Sequence, residues 1–116
     1  MELPTHGQLG YLQIPAVDVP VSTAFYATLF GWEVESGATG FTAPGLIGQF
    51  FSDHAASPGA GPLLWITVDD MDAALAAAPE NGGEVLSPPE EDGPNRTLAT
   101  IADPAGNTLG LVALHR

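Results

Sequence analysis

The chain has no cysteine among its 116 residues. Disulfide bonds, thiolate nucleophiles and thiolate metal ligands are therefore excluded, since each of them requires that side chain. A chain of this length can still bury one ordinary hydrophobic core without such cross-links. We therefore expect a single domain over residues 1–116, held together by packing alone.

Basic side chains are almost as scarce. Lysine is absent, and the only basic residues are Arg96 and Arg116. With 14 acidic residues, the formal net charge is -12. Such a surface repels phosphate backbones and anionic lipid headgroups, so we expect neither nucleic acid nor membrane as a partner. A cationic small molecule would be attracted, although an acidic composition also serves solubility alone.

Long apolar runs are missing too. The most apolar stretch, residues 62–68, is far shorter than a bilayer span. The first seven residues have neither the basic stretch nor the apolar run of a signal peptide. These features predict a soluble protein without a leader, and the cytoplasm is its expected location.

The first half of the chain carries a strand–helix pattern. Residues 9–14 alternate as a half-buried strand does. Asp18 is a suitable N-cap, and an apolar helical face then continues to about Phe30, where Gly31 ends the helix. Glycine and proline punctuate short strands from there to residue 51.

The second half repeats this pattern with a strand at 63–68 and an alanine-rich helix from Met71 to Ala78, which Pro79 ends. Four residues match between the halves at a constant offset of 51: Asp69 with Asp18, Gly82 with Gly31, Glu84 with Glu33 and Val85 with Val34. A repeat of this kind predicts two βαβββ modules, at about 8–54 and 62–115, within one domain.

Strands are also predicted at 97–102 and 108–114, joined by a tight turn. The acidic, proline-rich residues 87–95 between the second helix and these strands favour a loop. Arg96 lies beside this loop, and we expect it to form a salt bridge there rather than to recognise a ligand carboxylate.

Two segments carry a family resemblance. Residues 14–26 read IPAVDVPVSTAFY and lead into LFGWEV, and residues 102–111 read ADPAGNTLGL. The first is similar to the strand, V-x-D turn and S-x-x-F-Y helix of the vicinal oxygen chelate superfamily, which includes glyoxalases, bleomycin resistance proteins and extradiol dioxygenases. The second is similar to the D-P-x-G-N hairpin of that superfamily, so the resemblance spans nearly the whole chain.

This resemblance implies an α+β fold in which paired βαβββ modules form a curved half-barrel with helices outside. It also implies a homodimer, as is usual for short members. In metal-bearing members, four strands each contribute one His, Gln or Glu ligand, and the metal stabilises an enolate. The matching positions here hold Tyr11, Leu63 and Gly110, with Gln49 as the only candidate donor on the remaining strand.

We therefore expect no metal and no other cofactor. The three histidines, His6, His54 and His115, lie apart from one another in sequence and lack ligand spacing. The acidic run from Glu90 to Asp92 is read as a solvated loop rather than a cation site.

The predicted function is metal-free binding of a small molecule, as in sequestration of a drug or metabolite. Strand alternation predicts a cavity lined by aromatic, apolar and hydrogen-bonding side chains. The candidate ligand-binding residues are Tyr11, Gln13, Gln49, Leu63, Trp65, Thr67, Thr108 and Gly110.

Three alternatives remain open at this point. Tyr11 and Trp65 would fill the half-barrel if they were core residues rather than ligand contacts. The scaffold would otherwise support a metal-independent lyase, isomerase or epimerase, with Tyr11 as the candidate acid–base group. An accessory domain without a ligand is the third reading.

Overall fold

The chain folds into two modules with the same order of elements. The computed structural model describes residues 6, 9, 11–35, 37–53, 55–57 and 63–115. In module one these elements are β1 (Tyr11–Pro15), α1 (Val19–Phe30), β2 (Glu33–Val34), β3 (Gly40–Ala43) and β4 (Leu46–Phe51). In module two they are β5 (Leu64–Thr67), α2 (Met71–Glu80), β6 (Glu84–Glu91), β7 (Arg96–Ala102) and β8 (Thr108–Leu114).

Each module contains one mixed four-stranded sheet. The strand orders are β1-β4-β3-β2 and β5-β8-β7-β6, and the first pair in each sheet is parallel while the others are antiparallel. The predicted α+β fold of paired βαβββ modules is confirmed. The outer limits predicted for the modules at 8, 54 and 62 lie outside the described residues.

The two helices begin at equivalent aspartate caps. Asp18 accepts a hydrogen bond from the Val21 amide at 3.3 Å, and Asp70 accepts one from Ala73 at 3.0 Å. Because Asp70 rather than Asp69 caps α2, the caps are 52 residues apart, whereas the glycines after the helices keep the offset of 51.

The second helix runs slightly further than predicted. It includes Pro79 and ends at Glu80. The Gly83 amide donates to the Ala78 carbonyl at 2.8 Å and so closes the last turn.

Both sheets turn one face, here called the helix face, toward the helices. In module one this face packs aromatic side chains, including Phe41 and Phe50, beneath Phe25 and Tyr26 of α1. In module two the helix face is aliphatic. Its buried members are Ala99, Ile101, Leu109, Leu111 and Ala113. Leu12 of β1 and Leu64 of β5 both pack against the core.

The prediction of a loop at 87–95 is wrong over its first half, because β6 continues to Glu91. Pro88 and Pro89 lack the amide hydrogen that an internal strand must donate, but β6 lies at the edge of its sheet, where such a gap is tolerated. Register shifts at Ser87 and Glu90 accommodate the irregular backbone.

Neither of the two helices in the described ranges is long and apolar enough to cross a lipid bilayer.

Candidate functional site

The opposite face of each sheet, here called the open face, carries the predicted ligand-binding side chains. In sheet one, Tyr11 and Gln13 of β1 lie opposite Ile47 and Gln49 of β4. Tyr11 is 51% exposed and Ile47 is 50% exposed. Ile47 was not among the predicted residues, because the pairing of β1 with β4 joins residues 36 positions apart and local alternation does not encode that pairing.

Three polar side chains on the open face of sheet one form a hydrogen-bond chain. The Tyr11 hydroxyl donates to Gln49 Oε1 at 3.0 Å, and Gln49 Nε2 donates to Thr39 Oγ1 at 2.8 Å. This chain holds Tyr11 and Gln49 in one arrangement. Thr39, just before β3, was not predicted as part of the site.

The open face of sheet two has different chemistry. Trp65 of β5 lies opposite Gly110 of β8, and Thr100 of β7 flanks Gly110 on the other side. Thr67 and Thr108 lie on the same face by alternation, whereas Leu63 comes just before β5 and is 38% exposed. The predicted ligand-binding residues therefore form two separate groups, one in each module.

Trp65 covers Gly110 closely. A Cβ atom at Gly110 would lie 2.3 Å from Trp65 Cε3 and 2.4 Å from Cδ2. The absence of a side chain at this expected ligand position thus allows the indole ring to lie directly against β8. Trp65 remains 47% exposed on its outer side.

The donor set at these positions does not fit a divalent metal ion. Leu63 and Gly110 have no donor atom, and the polar ends of Tyr11 and Gln49 are hydrogen-bonded to each other. Across the described ranges, no three His, Asp or Glu side chains come together to form a metal site.

The histidines lie apart from these positions. His6 is exposed, and the His115 ring lies 3.1 Å from Thr97 Oγ1. His54, also predicted not to be a ligand, lies outside the described residues.

Two separate grooves follow the open faces and sheet edges. One has a volume of about 280 Å³ and is lined by Trp65, Leu98 and Thr100 together with acidic residues of β6 and the turn after it. The other, of about 520 Å³, lies toward β2 and includes Glu33, Thr42 and Ile47. Tyr11 lines neither of these two grooves.

The D-P-x-G-N hairpin has a structural role in joining the modules. The buried Asp103 carboxylate accepts hydrogen bonds from the Tyr26 hydroxyl at 2.8 Å and from the Asn107 side chain at 2.7 Å. Asn107 also donates to the Pro15 carbonyl of β1 at 2.7 Å. The family motifs at the two ends of the chain therefore meet in one buried network. We call this network the intermodule clamp.

The clamp keeps Tyr26 in its neutral form. Burial raises the pKa of the Tyr26 hydroxyl well above its usual value, and the nearby Asp103 charge and the hydrogen bond to it raise this pKa further. Tyr26 is accordingly a structural hydrogen-bond donor.

This fold and these motifs match a known family. The model of the Glyoxalase/Bleomycin resistance protein/Dioxygenase superfamily matches residues 8–111. A glyoxylase-like domain-containing protein from Didymella fabae is 35% identical over 89% of this chain and 91% of its own length. The chain belongs to the glyoxalase/bleomycin resistance protein/dioxygenase superfamily.

Solved structures agree with this assignment. The crystal structure of a glyoxalase/bleomycin resistance protein from Albidiferax ferrireducens T118 has a TM-score of 0.68 and 26% identity, over 91% of this chain and 96% of that one. A longer relative from Mycobacterium bovis, CFP32, is 28% identical over 95% of this chain, which spans only 47% of that protein.

Proposed function

We propose that the protein binds a small organic molecule on its open faces without using a metal ion. The proposal rests on the residues that occupy the four positions at which metal-bearing members of the family have their metal ligands. Two of them hold Tyr11 and Gln49, which bond to each other, and Gly110 provides the surface on which Trp65 lies. Half-exposed aromatic rings beside hydrogen-bonding side chains are typical of small-molecule sites.

Binding is favoured over acid–base catalysis by the surroundings of Tyr11. Its hydroxyl donates to the neutral amide of Gln49, and a neutral amide is not a base that would accept a proton during turnover. A lyase, isomerase or epimerase using Tyr11 would need a base that contacts this hydroxyl or a bound substrate.

The test is a thermal-shift screen of the full chain against metabolites and drugs, with a chelator present in every sample. We expect at least one ligand to raise the melting temperature and to bind about tenfold more weakly to Trp65→Ala. Val21→Ala, which alters a half-exposed apolar residue on α1, is the control and should keep full affinity.

Elemental analysis of untagged protein completes this test. We expect no stoichiometric divalent ion. A stoichiometric metal, or ligand binding that the chelator abolishes, would contradict the proposal.

We also propose that the protein is a homodimer in which a second copy covers apolar side chains at the rim of the open faces and leaves the groove beside Trp65 free for a ligand. Ile47 and Leu114 expose large apolar areas, which a two-fold partner would remove from water. Light scattering at low and physiological salt should give twice the formula mass.

Ile47→Glu should shift this assembly toward the monomer. Val17→Glu adds the same charge at an 82% exposed position before α1 and should leave the dimer intact. A wild-type monomer at micromolar concentration under both salt conditions would end the dimer proposal.

A further inference from the structure

Trp65 is the only aromatic residue of Phe, Tyr or Trp type after Phe51. Module two nevertheless leaves it out of its core, and nearly half of its surface is exposed on the open face. A large aromatic side chain contributes most to stability when it is buried. Its position on the open face therefore points to a role in contact with another molecule.

The Trp65 ring lies against the strand beneath it. The three ring atoms nearest to a Cβ built at Gly110 lie at 2.3, 2.4 and 2.7 Å, so one face of the six-membered ring covers the glycine. The opposite ring face is left toward the groove that Leu98 and Thr100 also line. The electron-rich face of an indole attracts cations.

The same groove has a strongly negative wall. Glu90, Glu91 and Asp92 line it. Asp92 is paired with Arg96 at 2.9 Å, and Arg96 is the only Lys or Arg in the described ranges. Glu90 lies opposite Leu98 in the β6–β7 register, which places it on the open face, and it lines the same groove as Trp65.

We propose that this groove binds an organic cation, with a tertiary or quaternary ammonium group held between the Trp65 ring and Glu90. Exposed carboxylates alone define no site, but here they line the same groove of about 280 Å³ as an aromatic ring that lies against a glycine. This assignment rests on the proposed function and specifies the chemical class of its ligand.

Two probes of the same shape test this assignment. Phenyltrimethylammonium carries a positive charge, whereas tert-butylbenzene is its neutral isostere. We expect the cation to bind about tenfold more tightly, measured by calorimetry and by quenching of the exposed Trp65, since Trp32 is buried. The preference should shrink as salt is raised.

Matched variants locate the site. Trp65→Leu should lower the affinity for the cation about tenfold, and Glu90→Gln about threefold. Glu80→Gln removes the same charge at the end of α2, outside the groove, and should change nothing. Circular dichroism of each variant establishes that it is folded.

Equal affinity for the two probes would overturn the cation assignment. So would equal losses in Glu90→Gln and Glu80→Gln, because the effect would then come from the overall charge. A neutral ligand from the screen that depends on Trp65, with no binding of phenyltrimethylammonium, would overturn this assignment and leave the proposed function standing.

Discussion

The two modules share a backbone plan but use aromatic side chains in opposite ways. In module one, Trp32 stacks between two rings on the helix face. Its ring centroid lies 5.0 Å from that of Tyr26 and 4.8 Å from that of Phe41. In module two the core is aliphatic, and the single aromatic residue, Trp65, lies on the open face. The repeat thus preserves strand order and caps, while the chemistry of each face has diverged.

Two glycines provide the strongest test of this contrast. A Cβ at Gly48 would lie 2.2 Å from both the Leu12 carbonyl oxygen and the Phe41 ring, within the aromatic core. Gly48→Ala should lower the free energy of unfolding by about 3 kcal/mol, because backbone and packed ring must both move.

Gly110→Ala should lower the free energy of unfolding by only about 1 kcal/mol, since the half-exposed Trp65 ring can move away. Urea denaturation measures both values. Equal losses in the two variants would show that the open-face ring is as tightly held as the core ring.

Removing the Tyr26 hydroxyl from the intermodule clamp should have the next largest effect. Tyr26→Phe deprives the buried Asp103 of one donor, so we expect a loss of about 2 kcal/mol by urea denaturation. Tyr11→Phe removes a hydroxyl with an exposed partner and should change stability by less than about 0.5 kcal/mol. A similar small loss in both variants would mean that the clamp contributes little.

The clamp also predicts a dependence of stability on alkaline pH. The pKa of Tyr26 is raised on folding from the ordinary value of 10.0, so above about pH 10 the unfolded chain loses this proton before the folded chain does. The free energy of unfolding should therefore fall as pH rises beyond 10, by at most about 1.4 kcal/mol per pH unit from this group. Below pH 10 this group contributes no slope.

Tyr26→Phe should remove the part of the decline in the free energy of unfolding that comes from the Tyr26 hydroxyl, whereas Tyr11→Phe should retain it. Unfolding curves between pH 8 and 11 measure the difference. Parallel declines in wild type and Tyr26→Phe would contradict the assignment.

The helix caps should give smaller and more equal effects in the two modules. Asp18→Ala and Asp70→Ala should each lower the free energy of unfolding by about 1 kcal/mol. We expect the larger loss at Asp70, because its bond to the helix is 3.0 Å rather than 3.3 Å long. Thermal denaturation of the two variants makes the comparison, and Asp69→Ala beside the cap is the control.

The smallest effect is expected at Arg96. Its ion pair with Asp92 was predicted and is present, but both side chains are more than half exposed. Arg96→Ala should therefore change stability by less than about 0.5 kcal/mol. A larger loss would indicate that the turn after β6 is coupled to the core.

Local signals in the sequence were sufficient to predict the two helices. The cap at Asp18, the glycine at Gly31 and their repetition in module two predict both helices, because capping and helix termination depend on neighbouring residues. The same local approach failed at Pro88, since tolerance for proline in a strand depends on whether another strand lies beside it.

The candidate site was predictable only in part. Alternation assigns Tyr11 and Trp65 to one face of their strands, and both are about half exposed. The bond from Tyr26 to Asp103 spans 77 residues, and the contact of Trp65 with Gly110 depends on β-strand register. Neither leaves a periodic signal, so only three-dimensional coordinates reveal them.

The sequence of the edge strand β6 opposes aggregation through this edge. Exposed strand edges can recruit further strands from other molecules and so start open-ended aggregation. Pro88 and Pro89 interrupt the donors along this edge, and Glu90 and Glu91 add repulsion between copies. Sheet two is thereby protected against edge-to-edge polymerisation along β6.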